Sequence, residues 1–116
     1  MSTKEVAQKF AEYCKVDNTK KVMEMYSDDI ISIEEGESPM QICKGKEAIQ
    51  AKIDWWNNTY EDLGTSCSGP FHNADQFSLI FDMKTKHKET GEIEEMKEVA
   101  VYTVKEGKVV EEKFMY

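Results

Sequence analysis

Apolar residues recur at helical spacing near the start of the chain and at every second position towards its end, with two short strand-like stretches between. Val6, Phe10, Tyr13 and Cys14 stand out of a polar background at a helical period, which predicts an amphipathic helix over about residues 4–15 with its stripe towards the core. Asp17, Asn18 and Thr19 offer cap chemistry. Val22, Met25 and Tyr26 then predict a short second helix that ends before Ser27 and forms a hairpin with the first. Residues 30–35 alternate loosely and are rich in β-branched side chains, which reads as a strand with Ile30, Ser32 and Glu34 on one face and Ile31 and Ile33 on the other. Residues 36–39 read as a turn and 40–43 as a short strand. Gly45 precedes a third helix running to about Tyr60, with Ile49, Ile53, Trp56 and Tyr60 as its stripe and Trp55 off it beside Ala48 and Ala51.

From residue 65 the period is that of strands. Residues 65–73, with an irregularity at Gly69-Pro70, then 76–88, 93–105 and 108–116 predict an antiparallel meander with turns at Thr90-Gly91 and Glu106-Gly107. Phe77, Leu79, Phe81 and Met83 share one face against Ser78, Ile80, Asp82 and Lys84, so that apolar side must be covered by the helices. The charge-dense residues 84–97 read as a solvated hairpin end.

Composition narrows the function classes. The chain of 116 residues, 40% apolar, suits one domain over residues 1–116, too small for a separate cofactor domain, and no cofactor is expected. Apolar runs fall far short of the roughly 20 residues that span a bilayer and the first ten residues lack the apolar stretch of a signal peptide, so a soluble, cytoplasmic protein without membrane association is expected. A net charge of −8 opposes nucleic acid as a partner. All fifteen basic residues are lysine, which removes every mechanism needing a guanidinium clamp. Cys14, Cys43 and Cys67 are an odd number without metal-ligand spacing, which reads as reduced thiols and no metal site.

The order of elements, with AQKF at residues 7–10, MYSDDI at 25–30, GKEAI at 45–49 and the terminal VYTVKEGKVVEEKFMY, resembles the SnoaL-like group of the nuclear transport factor 2-like superfamily, to which ketosteroid isomerases belong. The resemblance covers nearly the whole chain. It implies an α+β, cystatin-like cone: a curved mixed, mainly antiparallel sheet wrapped around three helices, with a cavity for a small apolar molecule between the sheet's concave face and the helices. It also implies a homodimer through the outer sheet face, where Val99, Val101 and Thr103 oppose Glu98, Ala100 and Tyr102. Aligned motif by motif, Glu34 falls at the isomerases' first-strand carboxylate, Phe10 at their oxyanion-hole tyrosine and Ala100 at their protonated aspartic acid, so both side-chain donors are missing. Epoxide hydrolase chemistry needs an arginine, and the dehydratase branch would have only His72 and His87. Cyclases of the SnoaL type need chiefly one acid/base residue in an apolar cup.

The candidates follow from position. Glu34, on the pocket-facing parity, would abstract a proton next to a carbonyl if apolar walls raise its pKa; the alternative is a solvated strand end. Glu98 and Glu112 share the inward parity of the last two strands and with Glu34 would form a carboxylate cluster, or a charged rim. His72 is a weaker proton carrier. Tyr13, Tyr26, Tyr102 and Tyr116 could donate to a ligand, Tyr13 first among them as a substitute for the donor lost at Phe10. Trp56, Phe77, Leu79, Phe81, Phe114 and Met25 would form walls, or an ordinary filled core. Two functions stay open: a pocket that binds an apolar or carbonyl-bearing ligand, and an isomerase, polyketide cyclase or dehydratase with Glu34 as general base.

Overall fold

The computed structural model describes residues 1–36 and 40–116, so the expected turn lies, past Gly36, outside the described residues. Helix α1, Thr3–Lys15, opens with a reciprocal cap. The Glu5 N–H donates to Ser2 Oγ at 3.2 Å and the Ser2 N–H to Glu5 Oε1 at 3.3 Å, satisfying donors that a helix start leaves free. Its buried side runs through Val6, Ala7, Phe10 and Ala11, with Tyr13 and Cys14 half-buried at the edge. Helix α2, Thr19–Met25, is capped by the Asn18 side chain. Tyr26 does not continue this helix, as its spacing suggested: it is extended, at φ −77° and ψ 146°, and is the first residue of strand β1, Tyr26–Ile33. A short helix gains little from one more residue, whereas a buried aromatic ring gains from packing against Phe10 at 5.8 Å between centroids.

Strand β2, Ile42–Lys44, pairs antiparallel with β1 and lies slightly later than expected. Gly45, at φ +87°, turns the chain into α3, Lys46–Thr59, while its N–H donates to the Ile30 carbonyl at 2.7 Å, which fixes the helix start to β1. Of the expected α3 stripe Ile49 is buried and Ile53, Trp56 and Tyr60 are half-buried; Trp55 is 46% exposed.

The meander is β3 (Tyr60–Asn73), β4 (Gln76–His87), β5 (Ile93–Lys105) and β6 (Lys108–Met115), all antiparallel. β3 leaves α3 directly at Tyr60 rather than at residue 65, because Tyr60, Glu61 and Asp62 find partners in His87, Lys86 and Thr85 on the long β4. β6 then pairs in parallel with β1. The strand order β2-β1-β6-β5-β4-β3 is a mixed, six-stranded sheet with β2 and β3 as free edges, not closed into a barrel. Helix α1 covers β3, β4 and β5, α2 touches β1, and α3 touches β1, β2 and β3, which makes an α+β cup with its helices on one side. No described helix is long and apolar enough to cross a membrane.

Phe10 is the centre of the core. Its ring lies 4.6 Å from Tyr102 and 5.5 Å from Phe77, and Tyr102 stacks on Phe77 at 4.8 Å. The expected irregularity at Gly69-Pro70 is a bulge: the β3–β4 register shifts between Ser68 and Phe71, so that Cys67 faces Phe81 and His72 faces Phe77 although they are an odd number of residues apart.

Candidate functional site

Register places the polar residues of the concave face in rows. One row crosses the sheet as Ser32, Glu112, Tyr102, Phe77 and His72, and another as Glu98, Phe81 and Cys67. Glu112 is 2% exposed and both of its oxygens are occupied: the Tyr26 hydroxyl donates to Oε1 at 2.5 Å and the Ser32 hydroxyl to Oε2 at 2.8 Å. Lys52, from α3, donates to Ser32 Oγ at 2.6 Å and to Glu34 Oε1 at 3.2 Å, and its ammonium group lies 4.9 Å from the centroid of the Phe114 ring. Glu34, just past the end of β1, is thereby held in a partly buried ion pair.

Glu98 makes none of these bonds. It is partly buried, and burial, then the negative charges of Glu34 and Glu112, push its carboxyl up to about 7, against the pull of Lys52. Burial likewise pushes Glu112 up, opposed by the hydrogen bonds of Tyr26 and Ser32 and by Lys52. The phenols of Tyr26 and Tyr102 are pushed up by burial and by the charge of Glu112. Burial drives the Cys14 thiol to about 12, far from the range of a reactive thiolate.

Glu34, Glu98 and Glu112 are brought near enough for their charges to act on one another, and Lys52 acts on both Glu98 and Glu112. The Tyr26 hydroxyl joins them through Glu112, and Tyr13 lies half-buried on α1. The deep wall residues Phe10, Phe77, Leu79, Ala100 and Tyr102 are buried among themselves, Phe81 and Phe114 are half-buried beside the carboxylates, and Trp56 packs on Tyr60 at 4.5 Å. Tyr116 is exposed and its hydroxyl donates to the Glu35 carbonyl at 3.4 Å. His72 is exposed on β3 and joins none of the bonds around Glu112. Lys52 and Ser32 are the members that reading for chemistry overlooked. Lys52 stands three residues after Ile49 and four before Trp56, on the helix face assigned to the core, and a lysine on an apolar stripe was the available signal.

Among the described residues no group of three or more histidine, cysteine or acidic side chains is arranged to hold a metal ion. A surface cleft of about 480 Å³ bordered by Lys20, Met23 and Lys46, and another of about 370 Å³ near Asp82 and Lys97, contain none of the cluster residues. The aromatic residues Phe10, Phe77 and Tyr102 pack on one another, and of the three carboxylates Glu112 is buried while Glu34 and Glu98 are partly buried.

A family model described as the SnoaL-like domain matches residues 1–116. A solved Mesorhizobium loti structure, provisionally named a SnoaL-like polyketide cyclase and carbohydrate phosphatase, is 44% identical, with all of both chains covered and a TM-score of 0.95. A Xanthomonas campestris protein of unknown function with a cystatin-like fold is 14% identical, with 99% of this chain and 90% of that one covered and a TM-score of 0.79. A nuclear transport factor 2-like protein from Burkholderia xenovorans is 18% identical over 99% and 90%, with a TM-score of 0.75. The last two are likenesses of fold. No curated protein sequence matches the chain.

Proposed function

The chain belongs to the SnoaL-like domain family, and from that premise we propose that the upper end of its cup binds a small carbonyl-bearing molecule and that Glu98 exchanges a proton next to the carbonyl. The observation that carries this reading is Glu98 itself, a partly buried carboxyl pushed up to about 7 and free of side-chain hydrogen bonds among the described residues. A group whose pKa sits near working pH is available as base in one half of a turnover and as acid in the other. Its protonated form is also a hydrogen-bond donor, which Phe10 and Ala100 cannot be. Half-buried Phe81 and Phe114 supply apolar contact for the remainder of the ligand. Glu34, engaged by Lys52, serves better as the neighbouring charge that raises Glu98 than as the base. The Mesorhizobium loti relative's name as a polyketide cyclase accords with chemistry next to a carbonyl. A cytoplasmic setting and pairing of two copies through the face of Val99, Val101 and Thr103 complete the reading.

The second reading, a carrier that binds without chemistry, draws on the filled aromatic floor and the absent donors at Phe10 and Ala100. Solvent deuterium exchange into a panel of enolisable ketones, followed by NMR, separates the two. Wild-type protein should accelerate exchange on at least one compound and Glu98→Gln should lose about 10² to 10⁴ of that rate. Exchange unchanged in Glu98→Gln would remove Glu98 from the chemistry. A compound that raises the melting temperature without exchanging would favour the carrier.

A further inference from the structure

Proton bookkeeping around Glu112 allows one arrangement in which the hydroxyls of Tyr26 and Ser32 both have an acceptor. Ser32 Oγ takes a hydrogen from Lys52 at 2.6 Å, so the single hydroxyl proton of Ser32 is left for Glu112 Oε2 at 2.8 Å. The Tyr26 hydroxyl donates to Glu112 Oε1, and Tyr26 is 5% exposed. If Glu112 were protonated and gave its hydrogen to Tyr26, the phenol's own proton would be buried without an acceptor, which costs the full desolvation of a donor. No sealed side-chain polar atom among the described residues lacks a partner. The chain of bonds thus has a direction, from Lys52 through Ser32 to Glu112, met from the other side by Tyr26.

We infer that Lys52 is the positioning residue of this site: acting through Ser32, it orders a one-way chain of hydrogen bonds that keeps Glu112 ionised and leaves Glu98 as the carboxyl group that carries the exchangeable proton. Glu112, with both oxygens occupied, is then a fixed negative charge and not an acid or base. The groups that bear on Glu98 are Glu112 from β6, Lys52 from α3, Glu34 beyond β1, Tyr102 from its own strand and Tyr116 at the C-terminus. Lys52 is also the one cation in this set, so it balances the charges that would otherwise drive protons onto both buried carboxyls. Lysine suits the position because a long apolar stem lets the ammonium reach in from α3 and lie over the Phe114 ring.

The inference rests on the reading of Glu98 as the proton carrier, but its test needs no ligand. Glutamate carboxyl carbons labelled with ¹³C are titrated from about pH 4 to about pH 9, a range that brackets the ordinary and the raised carboxyl values. In the wild type at neutral pH the Glu112 carbon should have the shift of a carboxylate and the Glu98 carbon that of a group in mid-titration. Lys52→Met should move both midpoints upward. Ser32→Ala, which keeps the lysine charge and breaks the chain, should move Glu112 upward, and it decides the matter alone should Lys52→Met not fold. A protonated Glu112 at neutral pH in the wild type, or a Glu112 midpoint unmoved by both substitutions, overturns the inference. Titrations as expected in a protein that exchanges no proton with any carbonyl compound would sink the proposed function and leave the positioning role standing.

Discussion

Tyr26 and Glu112 lie 86 positions apart in sequence and meet in a hydrogen bond of 2.5 Å inside the cup. Tyr26 opens β1 and Glu112 stands in β6, so the bond crosses a parallel strand pair of the sheet. It ties the end of the helical hairpin to the last strand, and it puts a phenol, which has no charge at neutral pH, against a carboxylate that burial disfavours. A polar link of this kind is fold and site at once, because the same two atoms satisfy the core and define the charge next to Glu98.

Tyr26→Phe keeps the ring among Phe10 and its neighbours and removes only the donor. Glu112 Oε1 is then left buried and without its partner, so urea unfolding at neutral pH should show a loss of about 1 to 3 kcal/mol. Stability equal to wild type would mean that water or another group replaces the phenol, and that the bond contributes nothing net.

Glu98 predicts a pH dependence with a definite sign. Its carboxyl is raised from 4.5 to about 7 on folding, so between those values the native state binds more protons than the unfolded chain and stability falls as pH rises. The contribution is fully present below 4.5 and gone above about 7, and the difference is at most roughly 3 kcal/mol, reduced by solvent screening because Glu98 is only partly buried. Urea midpoints across this range should fall with pH in wild type and flatten in Glu98→Gln. A wild-type slope of opposite sign in this window would show that other groups dominate.

Much of this arrangement is legible in the amino-acid sequence. The strict alternation of β4 and β5 assigned Phe77, Leu79, Glu98, Ala100 and Tyr102 to one face, and the same parity carried Glu112 inward, because a two-residue period leaves few choices once one face is apolar. Tyr26 and Lys52 were harder for a shared reason. Tyr26 stands at a spacing that suits α2, and only tertiary burial of its ring decides that the helix stops at Met25. Lys52 lies on the right helix face, but a charged end on an apolar stem reads as surface until a carboxylate and a serine are brought opposite it from β1. Whether the aromatic walls enclose space or fill it depends on ring tilts and separations near 5 Å, for which the alternating pattern has no signal.

Cys14 should be slow to alkylate. Raising its thiol from 9.0 to about 12 cuts the thiolate fraction at mildly alkaline pH by roughly a thousandfold, and the thiolate is the nucleophile. Mass spectrometry after iodoacetamide treatment should find Cys14 unmodified in the native protein and labelled after unfolding. Prompt native labelling of Cys14 would show that the space between α1 and β3 opens more readily than its burial implies.

The bulge at Gly69 sets which β3 side chains reach the cup, and it is open to a direct test. Gly69 has φ +115°, a conformation that side chains rarely adopt, and a β-carbon there would come within 3.0 Å of the Ser78 carbonyl oxygen and 3.2 Å of the Leu79 side chain. The backbone oxygen cannot give way without disturbing the β3–β4 ladder. Gly91, at φ +76°, is a matched control, since a β-carbon there meets nothing within 4 Å. Both glycine-to-alanine changes impose a left-handed backbone on a side chain, at about 1 kcal/mol, but Gly69→Ala adds the clash. Urea unfolding should therefore show Gly69→Ala less stable than Gly91→Ala by roughly 1 to 3 kcal/mol. The Cys67 amide resonance should also move if the strand slips to relieve the contact. Equal losses at the two positions would mean that the bulge relaxes freely and does not hold Cys67 opposite Phe81.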